Sequence, residues 1–203
     1  MSVPRKPQRR SQAERRARTR GAVLESATRL FGEKGYEATS LEDIAADCGT
    51  TIRPIYHYFG GKRQLFAAVN EALEERILSG QQASVAKGGA SGGVAAWRSF
   101  LELCRDAAFR QIALVDAPHV LGRTHWAKGP VTRATLERLR GGQLGDEARG
   151  RLVARVLVAA LGEAALVIAE SDDPEAMSRV ADEIGARAIP ALFEATASTP
   201  ETS

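Results

Sequence analysis

The stretch TSLEDIAADCGTTIRPIYHYFGGKRQLF, residues 39–66, decides how the chain is read. Ser40 followed three residues later by Asp43 has the spacing of a capping box and opens a helix. Leu41, Ile44, Ala45 and Cys48 then share one helical face over about two turns. Gly49 breaks that face and allows the positive φ that a tight turn needs. Thr51 can cap a second short helix carrying Ile55, Tyr56 and Phe59. Pro54 falls in its first turn, where a missing N–H costs little. Ile44 and Ala45 can pack against Ile55 and Phe59, and Ala46 is small enough for a close crossing. Two short helices joined this way make a helix-turn-helix. Its second helix projects Thr51, Ile52, Arg53 and His57 away from the core. Gly60-Gly61 is a break, and a long helix follows from Lys62 to about Gln82 through Leu65, Phe66, Val69, Leu73 and Ile77.

Upstream, residues 1–10 (MSVPRKPQRR) hold two prolines and almost nothing apolar, which predicts a flexible basic arm. Ser11 and Glu14 have capping spacing, but Gly21 weakens the start. The arm is therefore expected over 1–18, with ordered helix from near Thr19. Leu24, Ala27, Leu30 and Phe31 give that helix its buried face, and Gly35 ends it. Residues 1–65 hold 13 Lys/Arg against 7 Asp/Glu, and residues 66–203 hold 15 against 18. A basic first third on a mildly acidic body is the charge pattern of a nucleic-acid binder.

These stretches resemble the TetR family of transcriptional regulators. The resemblance rests on ATRLFGEKGY (27–36), TSLEDIAADCG (39–49) and IYHYFGGKRQLF (55–66), and covers about residues 20–68. It implies that the second helix of the pair lies in the major groove of double-stranded operator DNA. It also implies that Tyr56, Lys62, Thr39, Ser40 and the first N–H groups of 41–47 grip phosphate, with Tyr58 or His57 adding a polar contact. Three departures shape the expectation. Thr50 stands where an aliphatic residue usually packs, Ile52 and Pro54 occupy positions that are often polar, and Gly61 replaces the usual serine before Lys62. Arg53 and His57 are then the main polar readers, with Thr51 beside them and Ile52 available for a thymine methyl.

The rest of the chain reads as helical throughout, which makes the fold class all-α. Its 35 alanines and few β-branched residues favour helix, and no strand pair or repeat is evident. The run KGGASGG (87–93) reads as a linker. Helices are expected over 94–115, interrupted at Asp116-Ala-Pro118, then over 119–140, 146–170 and 175–195, the last kinked by Pro190. The expected division is a basic arm (1–18), a helix-turn-helix domain (19–66) and a helical ligand-binding and dimerisation domain (67–203). Trp97, Phe100, Cys104, His119, His125 and Trp126 are candidate lining for an apolar pocket with a few polar groups. In the family this part binds a small-molecule effector and dimerises. The helix over 146–170 is apolar on more than one side, which predicts a four-helix homodimer interface with 175–195. Ala159, Ala160, Ala164 and Ala165 permit close crossing near Val180 and Ile184, and Leu157 is expected at that interface.

Other classes are disfavoured. There is no G-x-S-x-G, no P-loop and no metal-ligand cluster, and His119 and His125 lie six residues apart, an irregular spacing for a helical metal pair. No enzyme activity, cofactor or metal is expected. No uninterrupted apolar run nears the ~18 residues of a membrane span, and the N-terminus lacks a secretory h-region. With two isolated cysteines, Cys48 and Cys104, the cytoplasm is the expected compartment. The expectation is a sequence-specific DNA-binding regulator, a repressor released by a small molecule. The alternative is a DNA-binding protein without an effector.

Overall fold

The computed structural model describes residues 12–81, 89–122, 125, 129–140 and 147–196. Every regular element among them is helical. Helix α1 spans Gln12–Ala38 and buries Val23, Ala27, Leu30 and Phe31, the stripe its periodicity demands. It begins at Gln12, so the 12–18 part of the expected arm is helix. Gly21 meets nothing within 4 Å of a built Cβ and sits in the helix at only its propensity cost. Residues 1–11 lie outside the described residues. Gly35 takes φ 78° and breaks α1 where the sequence ends it, although one more turn follows. The break folds Tyr36 back onto Phe31 and Phe66, with ring centroids 5.8 and 5.0 Å away.

Helices α2 (Leu41–Asp47) and α3 (Ile52–Phe59) form the helix-turn-helix, and α4 (Lys62–Gly80) closes it. Ile44, Ile55, Leu65 and Phe66 are fully enclosed here, and each such side chain contributes roughly 1.5–3 kcal/mol by leaving water. The Ser40–Asp43 capping box forms as expected: Ser40 Oγ accepts from Asp43 N at 3.0 Å, and Asp43 Oδ2 accepts from Ser40 N at 3.1 Å. Gly49 takes φ 65° in the turn. Thr51 occupies the cap of α3 with extended backbone but makes no side-chain capping bond.

Helix α5 spans Gly89–Leu103, so Gly92 and Gly93 are helical rather than linker. The smallness of Gly93 serves packing: a Cβ there would lie 2.9 Å from Ile189 Cγ2 and 3.0 Å from the Phe193 ring. The helix expected over 94–115 is broken after Leu103, and Asp106 caps a new start by accepting from Ala108 N at 2.9 Å. The short α6 (Ala107–Phe109) runs into a π-helical segment, Arg110–Asp116, and then α7 (Ala117–Val120). Pro118 therefore opens α7 without interrupting the chain's helical course, because the first turn needs no N–H from it. Helices α8 (Pro130–Arg140), α9 (Glu147–Glu170) and α10 (Pro174–Glu194) complete the fold. Helix α10 continues through Pro190 to Glu194.

The π segment and α6 pack on α1, while α5 packs on α10 and α8 on α9. Leu157 is 6% exposed and belongs to the protomer's own core, which corrects its expected place at a subunit interface. The exposed apolar residues of α9 and α10 are Leu152, Val156, Val167, Val180 and Ile184. By length and composition alone α9 has the character of a membrane span, which the core helix of a globular protein can share. Arg155 and Glu163 interrupt its apolar run.

Candidate nucleic-acid interface and cavity

Two sites emerge. The first is an open groove of about 360 Å³ lined by Glu37, Ser40, Glu42, Tyr56 and Lys62 among others. The capping box fixes Ser40 at the lip of α2, and Gly61 lets α4 start with Lys62 as its first residue. Lys62 Nζ donates to Glu37 O at 3.3 Å and lies 4.3 Å from the Tyr36 ring centroid, a cation–π contact that holds the ammonium over the groove. Tyr56 is 57% exposed although it is large and aromatic. A hydroxyl, a phenol and an ammonium thus converge on one groove, which suits a phosphate oxygen.

Next to it, α3 turns Ile55 inward and leaves Thr51, Arg53 and His57 exposed. Tyr58 is half-buried, and its ring lies edge-on to His57 with centroids 5.1 Å apart. Ile52 is also half-buried and packs on the core, so less of it faces outward than expected. Thr39 corrects a second expectation. It is 1% exposed, and its hydroxyl donates to Leu30 O at 3.1 Å and Gly35 O at 2.8 Å. It ties the end of α1 together and offers no hydroxyl to a ligand.

Several supports carry no obvious sequence signal because their partners are distant in the chain. Asp47 accepts from Ser26 Oγ at 2.6 Å and pairs with Arg29, which pins the end of α2 to α1. The Ser26 hydrogen bond holds the Asp47 carboxyl below the usual carboxylate range. Arg20 lies 5.0 Å over the Phe59 ring, bracing α3 from α1. Two bonds join this unit to the π segment and α7: Asp116 Oδ2 accepts from Tyr36 N at 2.8 Å, and Arg63 Nε donates to Val120 O at 3.1 Å.

The second site is a half-open cavity of about 380 Å³ lined by α5, the π segment and helices α8–α10. Trp97 and Phe100 line it, along with Leu114, Val131, Leu161 and Phe193. Three other candidates do not. Cys104 is buried in the core, and burial pushes its thiol up to about 12, so it stays a neutral packing group. His119 is exposed on α7. His125 Nε2 instead lies 2.9 Å from Asn70 Nδ2 and 3.2 Å from Glu74 Oε1, a polar cluster on α4 apart from the cavity. Burial raises the Glu74 carboxyl above its ordinary range. Trp126 lies outside the described residues. No group of three or more metal-ligating side chains occurs among the described residues.

The cavity's polar residues escaped sequence reasoning. Gln81, Thr132, Thr135 and Arg138 all line it. A usable signal exists for Arg138, since positions 131, 135 and 138 share one face of α8 and two of them are apolar or small. A charge on a buried stripe is the informative kind of exception.

Comparison with known proteins agrees with both halves. Residues 23–69 match the model of bacterial regulatory proteins of the tetR family. Residues 90–192, half of the chain, match the tetracyclin repressor-like C-terminal domain. The HTH-type transcriptional regulator CymR of Pseudomonas putida is 35% identical over 81 residues, 40% of each chain. The HTH-type transcriptional repressor ComR of Escherichia coli is 36% identical over 66 residues, 32% of this chain and 31% of its own. These matches span well under half of either relative. The likeness in solved structures runs nearly end to end. A TetR-family regulator from Pectobacterium atrosepticum is 29% identical, covers 95% of this chain and 100% of its own, and superposes with TM-score 0.63. The fatty acid degradation regulator FadR from Bacillus halodurans, 15% identical over 88% of this chain and 96% of its own, shares the fold with TM-score 0.66. With both its DNA-binding and C-terminal halves matched, the chain belongs to the TetR family of bacterial transcriptional regulators, and is not an enzyme.

Proposed function

We propose that the chain is a sequence-specific repressor of transcription that binds operator DNA as a homodimer and is released by a small molecule held in the cavity. The observation that carries the DNA half is the convergence of Ser40, Tyr56 and Lys62 on one groove beside the exposed face of α3. In this reading Tyr56, Lys62 and Ser40 grip phosphate. Thr51, Arg53 and His57 read base edges, with Tyr58 and the exposed part of Ile52 at the margin. The unit spans about residues 19–66, and the remainder serves ligand binding and dimerisation.

The dimer reading draws on the apolar residues that α9 and α10 leave on the surface. Val156, Val167 and Ile184 form part of a face that one protomer does not cover. Two-fold DNA-reading proteins match two-fold operators, which favours a pair of α3 helices. Burial of this face between two protomers accounts for the apolar character of α9 in a DNA-binding regulator.

Release can follow from the π segment. Leu114 faces the cavity, while Asp116, two residues on, holds the Tyr36 N–H. Tyr36 in turn stacks under Lys62. A ligand that favours one arrangement of this segment biases the placement of the groove, which is the differential contact that allostery requires.

The test is a salt titration of duplex DNA binding. Lys62→Ala should weaken specific and non-specific DNA alike and flatten the slope of log K against log salt by about 0.9, one phosphate contact. An unchanged slope would remove Lys62 from the interface.

A further inference from the structure

Arg138 is the anomaly of the cavity. Its Nη2 donates to Gln81 Oε1 at 2.5 Å, while its Nε is enclosed without any acceptor. Gln81 is neutral and already committed, since its own amide donates to Ala96 O at 3.4 Å. Among the described residues no carboxylate pairs with Arg138, and burial lowers the pKa of its guanidinium. A guanidinium stays protonated in a protein. A positive charge partly withdrawn from water and given one neutral partner is unfavourable until an anion completes it.

The surroundings narrow the anion. The wall near Arg138 carries Gln81, Thr132 and Thr135, and most of the remainder is aliphatic or aromatic. The other charged lining residues, Arg155 and Glu163, are exposed to solvent on α9. One half-buried guanidinium balances one negative charge, and a planar fork suits a carboxylate. A cavity of about 380 Å³ is at the small end of ligand pockets.

From this we propose that the effector is an amphipathic monocarboxylate, its carboxylate seated on Arg138 and its apolar body along Trp97, Phe100, Leu161 and Phe193. This rests on the reading of the cavity as the effector site and names the chemical class that fits it. Arg138 lines the cavity with one neutral partner, and Gln81 holds the guanidinium in place for the carboxylate.

The experiment compares three probes with the same eight-carbon body, octanoate, 1-octanol and octylamine, by isothermal titration of the full-length protein. The wild type should bind octanoate at least about tenfold tighter than 1-octanol, in line with a charge-assisted pair in a partly buried site, and octylamine weakest. Arg138→Gln and Arg138→Met should each bring octanoate down to the level of 1-octanol while leaving 1-octanol unchanged, which also shows that the variants remain folded. Arg155→Gln should change neither. The assignment is overturned if wild-type protein binds 1-octanol as tightly as octanoate, a result that needs no variant. It is equally overturned if the octanoate preference survives in both Arg138 variants, or disappears with Arg155→Gln. Gly162→Phe, which fills the cavity beside Leu114, separates the two levels of the claim. If it leaves binding untouched, or if none of the three probes binds the wild type, the cavity is not the effector site and the inference falls with that reading.

Discussion

Within residues 19–66, the buried polar side chains Ser26 and Thr39 have partners. Thr39 donates to two carbonyls, Ser26 to Asp47, and the capping box closes on itself. Phe31, Ile44, Ile55 and Phe66 are fully enclosed among them. Around the cavity the pattern reverses. Arg138 Nε and Trp97 Nε1 are enclosed without acceptors, a void of about 380 Å³ stands open, and apolar residues of α9 and α10 face solvent. A unit that must present a fixed surface to a rigid duplex gains from complete packing. A unit that must accept a ligand and a second subunit carries groups that those partners complete.

The largest expected effect breaks the well-packed side. Ile55→Ala should cost roughly 2–5 kcal/mol, since its neighbours cannot collapse into the gap. Leu157→Ala, beside an existing void, should cost nearer the bottom of that range, about 2 kcal/mol, as the residue already lacks partner atoms on one side. Urea unfolding of the two variants ranks them, and equal losses would erase the proposed contrast in packing.

A substitution on the outer face of α10 sharpens the other half. Ile184 is 61% exposed within one protomer, so Ile184→Glu should leave the fold intact and convert a dimer to monomers. Sedimentation would show the change in mass together with an unchanged helical signal. A wild type that sediments as a monomer at micromolar concentration would end the dimer reading.

The same contrast governs how much the sequence revealed. Helices α1–α4 were legible because capping residues, turn glycines and an apolar period of 3.6 agree over a short span. Ser40, Gly49 and Ile55 signal their roles locally. What failed there was Thr39, whose two acceptors lie on α1 at the end of a kink that only the folded chain brings near. In the second unit, Gly93 looks like linker until Phe193, a hundred residues on, is seen against it. Cys104, His119 and His125 are chemically suited to a pocket, but the helix break after Leu103 and the π segment rotate them elsewhere. Arg138 and Gln81 meet across 57 positions, beyond the reach of any periodicity.

The smallest effect is on pH dependence. The Asp47 carboxyl is held below its ordinary range in the folded chain by Ser26, with Arg29 adding to the effect. Its stabilising contribution is therefore present above the unfolded value, about 4, and is lost as pH falls through the lowered folded value. Asp47→Asn should melt below the wild type at pH 6, and the gap should close as pH falls through the lowered folded value. A gap that persists in strong acid would show that the carboxylate charge is not what pins α2 to α1.

The central claim is that α3 reads sequence while the groove beside it only grips, and Arg53 tests this most directly. A selection from random duplex DNA with the wild type should enrich an inverted-repeat site, one half for each subunit. The same selection with Arg53→Ala should lose preference at one base pair in each half-site, at a cost of roughly 1–3 kcal/mol there, and keep the rest. If Arg53→Ala instead returns the identical site with evenly weaker binding, Arg53 meets phosphate and α3 does not read through it. If the wild type enriches no site at all, the account of this chain as a sequence-specific regulator is contradicted.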